Sequence, residues 1–214
     1  MIKNTSVILV VVMLLSSGCT KHIERPSVMI DENSTTYNNG TISVYAHVTN
    51  DGGELSDAGI FYLKGVTSVP YEKGIKKSGG ANNEIRLTLN NLSRGPYSIC
   101  AYATNTAGTG YSNVITVGDY AVTGNYSLSS DKQSITIYGE AYAPAGTTFT
   151  RVGFIWSTDP HDGWLKEVSG FSGKTEAQFQ TTHSVHPGIT FYYYVMFQTN
   201  KGDTYYGERR QVTI

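Results

Sequence analysis

One stretch of this chain occurs twice, and that repetition limits what the chain can fold into. Residues 97–108 read YSICAYATNTAG and residues 192–202 read YYYVMFQTNKG, with the same aromatic start, apolar run and closing Thr-Asn before a glycine. Two earlier landmarks also repeat: TISVY at 41–45 with SITIY at 134–138, and AGIFYL at 58–63 with VGFIWS at 152–157. The offset drifts slowly through 93, 94 and 95 residues. Such a drift indicates two copies of one module that differ in loop length.

Within each copy, short runs alternate apolar and polar residues, which is the pattern of strands with one buried face. The apolar positions that share a face in the first copy are Ile42, Val44, Ala46 and Val48 in one run and Ile85, Leu87 and Leu89 in another. Gly, Asn, Asp and Ser separate the runs. We therefore predict an all-β chain of two tandem antiparallel β-sandwich modules, over residues 28–117 and 118–214. The link between the modules is too short to act as a flexible linker.

The N-terminus has the features of a secretory signal. Lys3 precedes an apolar core over residues 7–15, and small residues lead to Cys19. That core is too short for a membrane-spanning helix, which needs about 20 apolar residues. The segment resembles the lipobox of bacterial lipoproteins, in which the cysteine becomes lipidated. We expect a signal peptide at 1–18, then lipidated Cys19 and a polar tether over 19–27, with an ordinary cleaved signal as the alternative.

Charge and cysteine content limit the possible partners and cross-links. The formal net charge is −1, and Lys and Arg are not clustered, which argues against a nucleic-acid partner. Cys19 and Cys100 are the two cysteines of the sequence. With Cys19 assigned to the lipid, no internal disulfide is expected, and a packed core must supply the stability.

The repeated stretch resembles the F strand and F–G turn of fibronectin type III modules. The pattern is filled by Tyr97, Ile99, Ala101, Ala103, Asn105 and Gly108 in the first copy and by Tyr192, Tyr194, Met196, Gln198, Asn200 and Gly202 in the second. The resemblance implies that Tyr97 and Tyr192 are tyrosine-corner residues, whose hydroxyl groups bond to the backbone just upstream.

Catalytic and metal-binding patterns are weak in this sequence. Ser112 lacks the flanking glycines of a nucleophile elbow, and the carboxylates are sparse. His161, His183 and His186 have no known ligand spacing and lie in predicted loops. We therefore expect no enzymatic activity, no cofactor and no metal site.

The most informative feature is an apolar outer face on the predicted second module. If Tyr192 points inward, then Tyr193, Val195 and Phe197 point outward beside Ile155, as Ser98, Cys100 and Tyr102 do in the first copy. Trp164 adds an exposed aromatic residue at a module tip, so these five residues of the second module form the candidate partner surface. In the alternative, a one-residue slip sends Phe191, Tyr193, Val195 and Phe197 into the core.

Together these features predict a lipid-anchored cell-envelope binding, adhesion or spacer protein that recognises a protein or a glycan. We expect it in the outer membrane of a bacterial cell envelope, attached through its lipid. The alternative is a structural subunit of a fimbria-like or multiprotein surface assembly.

Overall fold

The computed structural model describes residues 22–161 and 163–214. The expected signal peptide and Cys19 lie outside the described residues. The described chain folds into sixteen strands and one four-residue helix. None of its helices is long and apolar enough to cross a membrane.

The N-terminal sandwich, residues 22–118, is built from two antiparallel sheets. In one sheet, β3 pairs with β6 on one side and with β1 and β2 on the other; the second sheet has the order β5-β4-β7-β8. Its elements are β1 (Ser27–Ile30), β2 (Thr36–Asn38), β3 (Thr41–Asn50), β4 (Asp57–Lys64), α1 (Pro70–Lys73), β5 (Ile75–Gly80), β6 (Glu84–Leu89), β7 (Pro96–Asn105) and β8 (Gly108–Gly118).

The C-terminal sandwich, residues 119–214, repeats this arrangement. One sheet has the order β9-β10-β13, and in the other β12-β11-β14 is completed by β15 and β16, which both pair with β14. Its strands are β9 (Ala121–Leu128), β10 (Ser134–Tyr142), β11 (Phe149–Ser157), β12 (Trp164–Glu167), β13 (Glu176–Ser184), β14 (Thr190–Thr199), β15 (Thr204–Tyr206) and β16 (Arg210–Thr213).

Each sandwich has its own hydrophobic core between its two sheets. The alternation in β3 and β6 explains the first core, because Ile42, Val44 and Ile85 are buried while Glu84 and Arg86 are exposed. The fully buried side chains include Ile42, Ile60 and Ile99 in the N-terminal core and Ile135, Phe154 and Val195 in the C-terminal core. The sequence repeats because each repeated segment supplies strands to one of these two cores.

Only Asp119 and Tyr120 separate β8 from β9, so the two sandwiches meet directly. Arg94 of the N-terminal sandwich is paired with Asp119 at 3.0 Å and with Glu208, and Lys64 is paired with Glu140 at 2.8 Å. These contacts define the junction between the two sandwiches.

Candidate recognition surface

The pairing of β11 with β14 determines which side chains of β14 face the core. Phe154 is opposite Val195, whereas the equivalent Ile60 in the N-terminal sandwich is opposite Ala101. The structural offset along this strand is therefore 94 residues, one less than the repeated Thr-Asn motif suggests. The turns after the two strands show the same 94-residue offset. Thr199 Oγ1 accepts the N–H of Lys201, and at the equivalent position Asn105 Oδ1 accepts the N–H of Ala107.

The predicted outward orientation of Tyr193, Val195 and Phe197 is wrong. Their exposed fractions are 1%, 0% and 0%, and all three belong to the C-terminal core. Phe197 packs edge-on against Phe149, with ring centroids 5.1 Å apart. Because strand side chains alternate between faces, the one-residue slip moved the whole set to the opposite side.

The same slip removes Tyr192 from the tyrosine-corner position. Tyr97 has the expected corner hydrogen bond, since its hydroxyl donates to the backbone oxygen of Ser93 at 3.0 Å. Its structural equivalent in β14 is Phe191, which is buried and has no hydroxyl group. Tyr192 instead turns to the outside, where the Arg209 guanidinium lies 5.7 Å from its ring centroid.

The outer face of the C-terminal sandwich has an apolar and aromatic part, bordered by Gln198 and by the Arg151–Glu167 ion pair. Residues directly opposite one another in a sheet share a face, and Ile155 is opposite both Tyr194 and Leu165, while Met196 is opposite Tyr206. The rings of Tyr194 and Tyr206 lie 6.0 Å apart, and Tyr206 is 61% exposed. We call Ile155, Leu165, Tyr192, Tyr194, Met196 and Tyr206 the outer face. Of the five predicted surface residues, Ile155 lies on it.

Trp164 is the most exposed large apolar residue in the described chain, at 77%. It lies on β12 opposite Trp156, so both side chains are on the core side of their sheet rather than on the outer face. Trp156 is half-buried and stacks on Phe191 with centroids 4.6 Å apart. Trp164 extends past the edge of the core and remains in solvent.

The corresponding face of the N-terminal sandwich is covered by its own chain. Ser98, Cys100 and Tyr102 point away from the core, as predicted, yet all three are fully buried. The segment between β4 and β5, which contains α1, lies over them. Ser98 Oγ donates to the backbone oxygen of Gly65 and accepts the N–H of Thr67, both at 2.9 Å. Burial raises the pKa of the Cys100 thiol, so it is a poor nucleophile.

The charged side chains of Asp57 and Lys76 also contact the buried Tyr102. The hydroxyl of Tyr102 donates to Asp57 at 2.8 Å, and Lys76 Nζ lies 4.5 Å from the Tyr102 ring centroid. Tyr71 of α1 stacks on Tyr111 with centroids 4.6 Å apart. No sequence pattern predicts this cover, because the segment contains only one turn of helix. As a result, the two sandwiches present different outer faces.

The histidines of the C-terminal sandwich do not converge. His183 stacks on Trp156, with centroids 4.4 Å apart and planes 7° from parallel, whereas His161 and His186 are exposed in loops. Among residues 22–161 and 163–214, no group of three or more His, Cys, Asp or Glu side chains is arranged to hold a metal ion.

A cleft of about 410 Å³ lies between the two sandwiches. Its walls are mainly small and hydroxyl-bearing residues: Val66, Thr67, Ser68, Val114 and Thr116 from one side, and residues 142–147 with Thr175 and Glu176 from the other. Glu176 is the one carboxylate in this lining, so the cleft offers no paired acid and base.

The strand order shared by both sandwiches agrees with the predicted tandem of fibronectin type III-like β-sandwiches. No known family model matches the sequence, and no curated protein matches it either. Among solved structures, the FN1–FN3 domains of chicken CNTN1 match with 16% sequence identity and a TM-score of 0.30. That match covers 88% of this chain, which spans 65% of the length of the chicken chain.

Proposed function

We propose that this chain is a lipid-anchored cell-envelope protein in which the N-terminal sandwich is a spacer and the C-terminal sandwich binds a protein partner. The observation that carries this proposal is the position of the tether. The N–H of Glu24 donates to Gly52 O at 2.9 Å, and Asn105 Nδ2 donates to Glu24 O at 2.6 Å. Both contacts are at the end of the sandwich opposite the junction, because Asn105 ends β7 and the junction residue Arg94 precedes it.

The length of strand β7 sets the distance that the N-terminal sandwich spans. Its ten residues separate the tether end from the junction end by about 30 Å, at roughly 3.4 Å per residue. An anchor at Cys19 would therefore hold the C-terminal sandwich at least that far from the tether contact. This geometry suits a module that must reach a partner beyond the membrane surface.

The outer face supports a protein partner over a glycan. It combines the half-buried Ile155 and Leu165 with tyrosine rings that lie over the buried Met196. The equivalent face of the N-terminal sandwich is already covered. Contiguous apolar surface of this kind marks contact sites on soluble domains. Tyrosines contribute large contact area with one polar end, which suits protein interfaces.

The anchor is tested by Cys19→Ala, with metabolic labelling by a palmitate analogue as the readout. We expect labelled wild type in the membrane fraction and unlabelled variant in the soluble fraction. Cys100→Ala is the matched control and should remain labelled. Unlabelled wild type would contradict the anchor.

The binding face is tested with Tyr194→Thr combined with Tyr206→Thr, in a pull-down of solubilised envelope proteins alongside a glycan array. We expect a protein captured by wild type and lost by this variant. The matched control is Tyr126→Thr with Tyr138→Thr, two tyrosines that are 43% and 40% exposed on the other sheet. Array binding without protein capture would favour a glycan partner, and self-association lost in the first variant would favour the assembly-subunit alternative.

A further inference from the structure

The edge of the C-terminal sandwich at β13 is open. Within the described residues β13 pairs with β10 alone, in continuous register over nine residues. At the two ends of this ladder, Ala143 N–H donates to Thr175 O at 2.7 Å and Val185 N–H to Gln133 O at 2.9 Å. Hydrogen-bonded and non-bonded pairs alternate in an antiparallel ladder. The even-numbered residues of β13, among them Gln178, Gln180 and Thr182, therefore turn their N–H and C=O groups to the free edge.

Apart from Glu176 at its start, β13 lacks the features that usually block strand pairing. Exposed edges are commonly protected by Lys, Pro, bulges or short length. Residues 177–182 read AQFQTT, with no charge, no proline and no glycine. Their composition favours pairing with another extended strand.

The equivalent edge of the N-terminal sandwich is protected. Strand β6 has only six residues, and its edge positions include the charged Glu84 and Arg86. Lys77 Nζ also donates to the backbone oxygen of Thr88 at 2.6 Å. That bond uses one of the acceptors that an added strand would need.

The aromatic side chain of Trp164, from the opposite sheet, borders the space beside β13. Strand β11 lies opposite β13, because Trp156 stacks on His183 and Phe154 contacts Phe179 with centroids 4.9 Å apart. The next strand of that sheet, β12, therefore lies opposite the space beyond β13, and Phe171 of the connecting segment packs on Phe179 at one end of it, with ring centroids 5.8 Å apart. Trp164 points toward this space, since it shares a face with the half-buried, core-side Trp156.

Positive charge flanks the same space. Lys166 is opposite Phe154 and so also points to the core side of β12. Lys174 lies just before β13, where its Nζ is 5.1 Å from the Phe171 ring centroid. Neither lysine forms an ion pair within the described part of the chain. A carboxylate on an incoming strand would complement them.

We propose that the free edge of β13 binds an extended peptide strand of a protein partner. The peptide adds a strand to the β9-β10-β13 sheet. One of its apolar side chains lies beneath Trp164, and its acidic residues lie near Lys166 and Lys174. Main-chain hydrogen bonds to the even-numbered residues of β13 hold the peptide, and Trp164 and the lysines select its side chains. This site is on the opposite side of β12 from the outer face and does not depend on it.

The test uses the full chain and a displayed library of random twelve-residue peptides as the probe. We expect enriched peptides with alternating apolar and acidic residues, and a shift of Trp164 emission to shorter wavelength when a synthetic copy binds. Gln180→Pro removes an edge N–H without removing a bond to β10, and it should weaken binding about fivefold. The matched control Gln180→Thr keeps that N–H and should bind normally. Trp164→Ala should also weaken binding, while Tyr206→Ala should not.

Hydrogen exchange on the unmodified chain removes any dependence on how the proline variant folds. The amides of Gln178, Gln180 and Thr182 should exchange quickly in the free protein and slowly with the peptide bound. Unchanged exchange, or a library with no peptide sensitive to Gln180→Pro and Trp164→Ala, would overturn the proposal. Dimers of the free chain that protect these same amides would instead assign the edge to a second copy and equally overturn the peptide assignment.

Discussion

The hydroxyl group of Tyr97 fixes the chain where it enters β7. It is 3.0 Å from the backbone oxygen of Ser93 and 3.1 Å from the Ser93 hydroxyl, and the Tyr97 ring is buried. Tyr97→Phe should destabilise the N-terminal sandwich by about 0.5 to 1.5 kcal/mol, the usual net contribution of one such bond. Thermal unfolding followed by near-UV circular dichroism measures this loss. Tyr192→Phe is the matched control and should leave the melt unchanged; a larger effect at Tyr192 would contradict the 94-residue equivalence.

His183 is half-buried between Trp156 and the edge of the C-terminal core. Its Nε2 atom is shielded from solvent and has no hydrogen-bond partner in the described structure. Burial, and secondarily the charge of Lys166, lowers the pKa of His183 below its usual value of about 6.5. Protonation of this imidazole is therefore harder in the folded state than in the unfolded state.

This shift predicts an acid-sensitive C-terminal sandwich. The folded state binds fewer protons at His183 than the unfolded state, so the stability is fully present above about pH 6.5 and is lost as the pH falls below it. The melting temperature should drop between pH 7.5 and pH 5, and His183→Phe should reduce that drop. His186→Gln changes an exposed histidine and should keep the full drop. Equal pH profiles for His183→Phe and wild type would contradict the prediction.

At the scale of the element, β14 shows where sequence reasoning works and where it fails. The alternation in β3 and β6 assigns their faces correctly because polar residues occupy the solvent-exposed side of each strand. In residues 191–197, FYYYVMF, nearly every position is apolar or aromatic, so the pattern contains no face signal. The assignment then depended on the Thr-Asn motif, whose turn is one residue out of step with the strand.

Packing against distant strands supplies the missing information. Gly139 of β10 shows this, because a Cβ atom there would lie 2.5 Å from Val195 Cγ2 and 3.0 Å from Phe154 Cζ. The glycine makes room for the side chains of β11 and β14 in the core. Such a fit joins Gly139 to a residue 56 positions later in the chain, Val195, and no local pattern predicts it.

Substitution of the odd and even positions of β14 tests its orientation. Val195→Thr with Phe197→Thr places two hydroxyl groups and a cavity in the core, and should cost about 2 to 5 kcal/mol for the phenylalanine alone. Tyr194→Thr with Gln198→Thr changes the outer side of the same strand and should cost within roughly 1 kcal/mol. Thermal melts of the two double variants compare them directly. A nearly normal melt for the first pair would restore the outward assignment.

At the scale of the whole molecule, the junction joins the two sandwiches with more than a short link. The sequence predicted a short link, but it did not predict the partners of Arg94 and Lys64, since Glu208 lies 114 positions beyond Arg94. Tyr142 is only 3% exposed, and its hydroxyl donates to Glu140 at 2.6 Å. Burial alone would raise the pKa of Glu140, but hydrogen bonds from Lys64 and Tyr142 bring it below its usual value. The carboxylate therefore stays ionised and paired.

These contacts predict that the junction, and not the link alone, fixes the angle between the sandwiches. Spin labels at Ser56→Cys and Ser172→Cys, one on each sandwich, report that angle as a distance distribution by pulsed electron resonance. Tyr142→Ala with Arg94→Ala should broaden the distribution markedly while leaving each core folded, because the lost groups belong to neither core. Arg86→Ala breaks the exposed Arg86–Glu84 pair away from the junction and should leave the distribution narrow. If the junction variant stays as narrow as wild type, Tyr142 and the ion pairs of Arg94 contribute nothing to the angle between the sandwiches.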